Sequence, residues 1–292
     1  MACRDTTYHR PQSIAEACQI AGEYGIRGRF LAGGTELLID LDSGRDRADQ
    51  LISLRDVPDL CEIRIEAGEL RIGALATLSA IATAPDVARA LPALREAILT
   101  MGGQQIRNRA TIGGNFCRAV PCADTPPLCI AAGARLEIVG ANGARTLPAA
   151  DFFVGPRQTV LERSEILTEI RIPVPPAHSG ASYQRFSLRR GMAVAVAAVA
   201  AVLQLDGDEI TSARVVLGAV APVPLLVGEC TDLLVGRKPA PDLFAEVGTV
   251  AAAAAQPITD LRGSAEFRRD LLAVLTPRAL SEATARARGE TA

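Results

Sequence analysis

The chain has 292 residues, of which 49% are hydrophobic and 22% charged, and its formal net charge is -2. That length exceeds the ~100–150 residues of a common single domain, so two or three domains are expected, with ample apolar material for their cores. The near-neutral balance calls for neither nucleic acid nor an anionic membrane surface, and the longest apolar run, residues 191–203, is shorter than the ~20 residues that span a bilayer.

In chain order, the first predicted element is a helix over 13–25. Ile14, Ala17, Cys18 and Ala21 share one face, Ser13 is placed to cap it, and Gly25 to stop it. A short strand, "RFLA", leads into Gly33-Gly34-Thr35 and then a helix from Glu36, with Thr35 as its expected cap and Gly44 as its end. "DQLISL" reads as a further strand, so residues 1–55 form a small α/β unit. "CEIRIEAGELRIGALATL" alternates about Ala67-Gly68 as a hairpin. Pro85 to Met101 carries a helical pattern with Pro92 near its first turn, ended by Gly102-Gly103. Asp124 stands as an N-cap before "TPPLCIAAG"; "ARLEIVGANGARTL" is a second hairpin and "EILTEIRIPV" another strand. Residues 56–176 are therefore strand-rich with helices inserted. "PVPPAHSG" reads as a linker. Beyond it "SYQRFSL", the apolar run and "EITSARVVLGAV" make a three-stranded meander that turns at Asp206-Gly207-Asp208, and Ala- and Leu-rich helices follow to 288. Residues 177–292 form an α+β domain. "MACRDTTYHRPQS" lacks an apolar leader, so a cytoplasmic protein is expected.

The seven cysteines (Cys3, Cys18, Cys61, Cys117, Cys122, Cys129 and Cys230) include no C-x-x-C pair. Only Cys117, Cys122 and Cys129 cluster, at a spacing that fits neither a ferredoxin nor a zinc knuckle. They are expected to be small buried hydrophobes. His9 and His178 are isolated, which leaves no H-E-x-x-H zinc site and little basis for a Ser-His-Asp triad.

Chemistry concentrates at two glycine segments, "LAGGTELLIDL" (31–41) and "RATIGGNF" (109–116). Glycine lets main-chain N–H groups approach a phosphate because no Cβ intervenes, and a helix start adds a favourable dipole. Two such loops on one cleft suit a pyrophosphate. Neither G-x-G-x-x-G after a strand nor G-x-x-x-x-G-K-[ST] is present, so a dinucleotide would bind in a fold other than the doubly wound one.

Five stretches in order carry a family resemblance: "YHRPQSIAEACQIAGEYG", "FLAGGTELLIDL", "QIRNRATIGGNF", "EILTEIRIP" and "YQRFSLRRGMAVAVAAVAAVL". Together they resemble the FAD-binding medium subunit of molybdenum hydroxylases, a family that includes aerobic carbon monoxide dehydrogenase and xanthine dehydrogenase. The resemblance implies an α+β chain with a two-part FAD-binding fold of the vanillyl-alcohol-oxidase (PCMH) type, followed by a C-terminal domain of three strands with helices. It implies that Phe30, Leu31, Ala32, Gly33, Gly34, Thr35, Glu36 and Leu37, with Thr111, Ile112, Gly113, Gly114 and Asn115, wrap the FAD pyrophosphate and adjoining sugar groups. Asp124 falls at an acidic FAD contact, Leu167 at an apolar one, and Arg185 where relatives commonly carry Lys. It further implies a large partner subunit with the molybdopterin cofactor and a small one with two [2Fe–2S] clusters, in a dimer of heterotrimers. No catalytic side chain and no metal site is assigned to this chain.

Three departures bear on function. Arg185 replaces a point donor by a planar fork, "GGTE" stands where carbon monoxide dehydrogenase-like members often read "GGQS", and the cysteine trio lacks the inserted loop with which some relatives bind an extra cluster. Asp124 also reads as a helix cap, a role compatible with a cofactor contact, and Leu167 is core in any reading. Arg107, Arg109 and Arg118 either screen phosphate charge or face solvent or a partner. A stand-alone flavin reductase or oxidase of the same fold and a non-catalytic dinucleotide-binding module are the alternative functions.

Overall fold

The structure, a computed structural model, describes residues 6–189 and 191–290; Cys3 lies outside them. Its first layer is a parallel three-stranded sheet in the order β1-β3-β2, built from β1 (Thr7–His9), β2 (Gly28–Leu31) and β3 (Gln50–Ser53). Helix α1 (Ile14–Tyr24) begins as expected, with the Ser13 hydroxyl accepting from the Glu16 amide, and ends at Gly25 with φ 52°. Helix α2 (Leu37–Asp42) crosses from β2 to β3. Thr35 does not cap it: Glu36 takes the N-cap position without a side-chain bond. The apolar face of α1 packs with Ile52, Leu54 and Leu75 in a small core.

The second layer is an antiparallel five-stranded sheet in the order β4-β5-β10-β6-β7. Strands β4 (Ile63–Glu66) and β5 (Glu69–Gly73) meet at a two-residue turn in which Ala67 and Gly68 both have positive φ, at 51° and 78°. That is the type I′ geometry matching strand twist. One continuous helix was expected over 85–101, but the chain breaks at Leu91 (φ -149°, ψ 70°) because Pro92 excludes a helical conformation before it. The segment therefore holds two helices, α4 (Pro85–Ala90) and α5 (Pro92–Leu99), preceded by α3 (Leu78–Thr83). Then come α6 (Gln104–Arg107), α7 (Ile112–Arg118) and α8 (Thr125–Ala131). Strands β6 (Arg135–Gly140) and β7 (Gly143–Pro148), the ribbon β8 (Phe153–Gly155) and β9 (Gln158–Thr159), and β10 (Ile166–Pro173) complete the layer. Leu70, Ile72, Leu136, Ile138, Ile170 and Ile172 point from the sheet into a core shared with these helices.

The third layer is the expected meander, β11 (Ser179–Phe186), β12 (Ala197–Asp206) and β13 (Glu209–Gly218), extended by the two-residue β14 (Leu225–Leu226). The apolar run is unbroken because β12 is buried on both faces. Ala197, Val199, Ala201 and Leu203 meet the helical core on one side, while Ala200 joins the core of the second layer on the other. Among the described residues no helix is long and apolar enough to cross a membrane. Helices α9 (Gly228–Leu234), α10 (Pro241–Ala254) and α11 (Ala265–Ala287) cover the outer face. Pro277 sits inside α11 and lacks the N–H that would bond Ala273. Gly248 of α10 lies against that carbonyl and the proline ring, where any Cβ would come within 2.9 Å of the Ala273 oxygen.

Candidate functional site

The two glycine segments lie against each other, and the glycines have distinct reasons. At Gly33 a Cβ would stand 1.8 Å from the carbonyl oxygen of Arg109, so this glycine lets the first loop rest on the backbone of the second. Gly34 has φ 77°, the left-handed conformation that starts the turn into α2. Gly113 is also a packing glycine, since its Cβ would come within 2.6 Å of the Ala74 backbone. Gly114 has open space apart from the Thr111 hydroxyl at 2.9 Å.

The loops differ in what they offer an anion. In the first, the five successive amides of Gly33 to Leu37 donate to no acceptor among the described residues. They form an array of donors at the entry to α2. In the second the amides are already engaged: Ile112 to the Ala76 carbonyl at 3.1 Å, Gly113 to Ala74 at 2.8 Å, and Asn115 to Thr111 at 3.0 Å. The Gly114 amide donates to the Thr111 hydroxyl at 3.1 Å, which makes "TIGGNF" the capped first turn of α7. The expectation that both loops present free amides is thus met by the first alone. The second keeps a side-chain donor: the Thr125 hydroxyl donates to Asn115 Oδ1 at 2.7 Å and leaves the Asn115 amino group free to turn outward.

Ion pairs tie the loops further. The buried Asp40 of α2 pairs with Arg118 of α7 and with Arg45 at 3.1 Å, and Arg118 Nε lies 3.3 Å from Glu36. Arg118, one of the three arginines whose role the sequence leaves open, thus holds the loops to each other. Arg107 is turned onto the carbonyls of Met101 and Gly102 at 2.8 and 3.0 Å. Exposed Arg109 lines, with Ala32, Gly33, Arg55, Thr77 and Thr111, a recess of about 140 Å³ between the loops. A larger cleft of about 540 Å³, between α4, the linker and the end of α11, touches neither glycine segment.

The remaining predicted residues lie at the start of α8 and on β10, β11 and β2. Asp124 precedes α8, but its backbone is helical (φ -86°, ψ -27°) and its side chain caps nothing. It is 7% exposed, and Oδ1 accepts from Tyr183 Oη at 2.8 Å and Arg185 Nη1 at 2.9 Å. Burial pushes the Asp124 carboxyl above the ordinary carboxylate range, against the pull of Arg185 and Tyr183. The same burial, with the neighbouring carboxylate, raises the Tyr183 phenol well above its usual value, so it is a neutral donor. Leu167 sits at 3% exposure on β10, beside a register shift, within the core of the second layer. Phe30 and Leu31 end β2 half-buried. Asp40 and Tyr183 went unnoticed in the sequence. The signals were an acid at an apolar position of "LLIDLD", and the i, i+2 pair in "YQR" that puts Tyr183 and Arg185 on one strand face.

Of the clustered cysteines only Cys129 is buried, Cys122 being half-buried and Cys117 exposed, so the expectation of small buried hydrophobes holds for one of the three. Cys230 is also buried, burial pushes the Cys129 and Cys230 thiols up to about 12, and Cys61 is exposed. Among the described residues no three His, Cys, Asp or Glu side chains are grouped to hold a metal ion.

A three-layer α+β chain with an amide-rich turn packed on a second glycine loop defines a class, the non-Rossmann dinucleotide-binding proteins. The family can be named as well. Residues 4–175 match the FAD binding domain in molybdopterin dehydrogenase, and 181–283 the CO dehydrogenase flavoprotein C-terminal domain; the chain belongs to this family. It is 38% identical over 284 residues to the carbon monoxide dehydrogenase medium chain of Afipia carboxidovorans, covering 96% of this chain and 97% of that one. With the xanthine dehydrogenase FAD-binding subunit of Escherichia coli O157:H7 it shares 32% identity over 289 residues, covering 97% and 98%. Among solved structures it superposes on a chain of Cu,Mo-CO dehydrogenase with a TM-score of 0.93 at 37% identity, covering 96% and 98%. For quinoline 2-oxidoreductase from Pseudomonas putida 86 the TM-score is 0.90 at 31% identity, with 98% of both chains covered.

Proposed function

We propose that this chain is the FAD-binding subunit of a heterotrimeric molybdenum hydroxylase, assembled with a large molybdopterin subunit and a small subunit carrying two [2Fe–2S] clusters. The observation that carries the reading is the run of five unspent amides from Gly33 to Leu37, set against a second loop by a glycine that tolerates no side chain. That donor array fits a pyrophosphate. Phe30 to Leu37 would hold the phosphates and neighbouring groups. Thr111 to Asn115 would support them through packing and the Asn115 amino group. Asp124 would accept from a hydroxyl, Leu167 would back the cofactor from the core, and Arg185 would act through Asp124. When bound, FAD supplies the redox chemistry, taking electrons from the clusters of the small subunit and releasing them to an external acceptor. The chain binds and orients it; no side chain is asked to move a proton.

The assembly is read as a cytoplasmic dimer of heterotrimers, and the three units as residues 1–55, 56–176 and 177–292. Relatives named as subunits of carbon monoxide, xanthine, nicotine and caffeine dehydrogenases or hydroxylases support the partner set while differing in substrate. Purification of the native complex tests the reading. A flavin absorption spectrum, molybdenum and iron should be present together, and hydroxylation should vanish when the other subunits are removed. Substrate turnover by the lone chain would refute it.

A further inference from the structure

Asp124 is an ionisable side chain at 7% exposure whose position before α8 suggests a cap, yet it caps nothing. Its Oδ1 instead takes two donors from alternate residues of β11, Tyr183 at 2.8 Å and Arg185 at 2.9 Å. β11 is paired with β12 along its whole length, from Ser179 to Phe186, so both donors stand on a rigid support. Arg185 is itself fixed, with Nη2 donating to the Ala193 carbonyl at 2.6 Å and Nη1 reaching the Thr100 hydroxyl at 3.3 Å. Two strong donors on one oxygen leave Oδ2 with its acceptor capacity unspent. The next residue, Thr125, donates to Asn115 of the second glycine segment, so the backbone that carries Asp124 is tied to that segment one residue away.

Resting on the flavin reading above, we propose that Tyr183 is a positioning residue of the FAD site. With Arg185 it occupies one oxygen of Asp124, fixes the rotation of the carboxylate, and leaves the other oxygen to accept from a hydroxyl of the cofactor. The third layer thereby becomes part of the flavin site. A buried carboxylate tends toward its neutral form, which would donate where an acceptor is wanted. Arg185 and Tyr183 oppose that tendency. The other titratable group coupled to this carboxylate is the Cys122 thiol, neutral because burial and Asp124 both push it up. A purely structural ion pair pinning β11 to α8 predicts a different outcome, in which Tyr183 affects melting alone.

The experiment titrates FAD into deflavinated protein, purified with its partner subunits, for wild type, Tyr183→Phe, Arg185→Lys and Arg185→Met. Tyr183→Phe keeps the ring and removes one hydroxyl. It should weaken FAD binding about tenfold and move the acid limb of the affinity–pH profile upward, in addition to the few degrees of apoprotein melting temperature that loss of one buried hydrogen bond costs. Arg185→Lys, which retains the charge, should bind more tightly than Arg185→Met. Equal FAD affinity and an equal pH profile for wild type and Tyr183→Phe would overturn the assignment. A wild-type protein without FAD affinity would overturn the flavin reading and this assignment with it.

Discussion

Gly33→Ala should separate the two glycine loops. The added Cβ would lie 1.8 Å from the Arg109 carbonyl oxygen, 2.7 Å from its carbon and 3.2 Å from Ala110 Cα, all of them backbone atoms that no rotamer change removes. Reaching ordinary van der Waals separation requires a retreat of about 1.5 Å, and that retreat must also stretch the Asp40–Arg118 pair that joins the loops. Overpacking of this kind costs about 1–3 kcal/mol, a fall in melting temperature of roughly 2–4 °C per kcal/mol for a chain of this size. FAD content should fall with it, because the five amides would no longer stand beside the second loop. Gly114→Ala is the control. Within the chain its Cβ meets only the Thr111 hydroxyl at 2.9 Å, so the most the apoprotein forfeits is a helix cap of about 1 kcal/mol. Both proteins are assayed by flavin absorbance per chain and by melting of the apoprotein. If Gly33→Ala keeps its flavin and melts no lower than Gly114→Ala, the contact between the loops does not do what is assigned to it.

Arg118→Met leaves the buried Asp40 with only Arg45 at 3.1 Å and Arg157 at 3.9 Å; a loss of about 3 kcal/mol is expected in chemical denaturation, and an unchanged midpoint would show that the pair contributes nothing. Cys61 is exposed while Cys129 and Cys230 are buried with thiols near 12, so peptide mapping after a brief alkylation should find Cys61 modified and the other two protected until denaturant is added. On acidification, Asp124 protonates first because its value is raised, whereas Asp46, Glu165 and Asp260 are lowered and keep their stabilising charge to lower pH. Flavin release, followed by fluorescence, should therefore precede loss of far-UV circular dichroism, and coincident transitions would count against Asp124 as a cofactor contact.

Much of the fold was legible because its signals are local. Ser13 and Gly25 bound α1, Ala67-Gly68 turns the first hairpin, and the Asp206-Gly207-Asp208 turn separates β12 from β13. What failed locally failed to competition. Thr35 has a capping side chain but stands one residue before the N-cap position, and Asp124 is drawn from the helix to a phenol and a guanidinium from β11. The site was legible as two glycine segments, but not the division between them. Gly33 and Gly113 are small for tertiary reasons, an Arg109 carbonyl and the Ala74 backbone, that nothing in their own segments reveals. The engagement of the Ile112 and Gly113 amides by Ala76 and Ala74 accompanies the bridge between Thr77 and Thr111, a pairing across 34 positions of sequence, whereas those of Gly114 and Asn115 are taken locally by Thr111.

The buried carboxylate shows what the site asks of the fold. Asp124 holds its proton more tightly in the folded chain than in the unfolded one, so its contribution to apoprotein stability is complete at low pH. It is lost as pH rises through the raised folded value. At neutral pH the charge therefore weighs against the empty fold, even with Arg185 at 2.9 Å. A side chain selected for stability alone would be apolar here, since well-packed hydrophobic replacements of buried ion pairs are commonly neutral or stabilising. A charged acceptor is useful only where something arrives to donate to it. Binding of the cofactor then returns stability by mass action, increasing with its concentration over the dissociation constant. The stability deficit of the apoprotein and the affinity for FAD are on this argument two measures of one carboxylate.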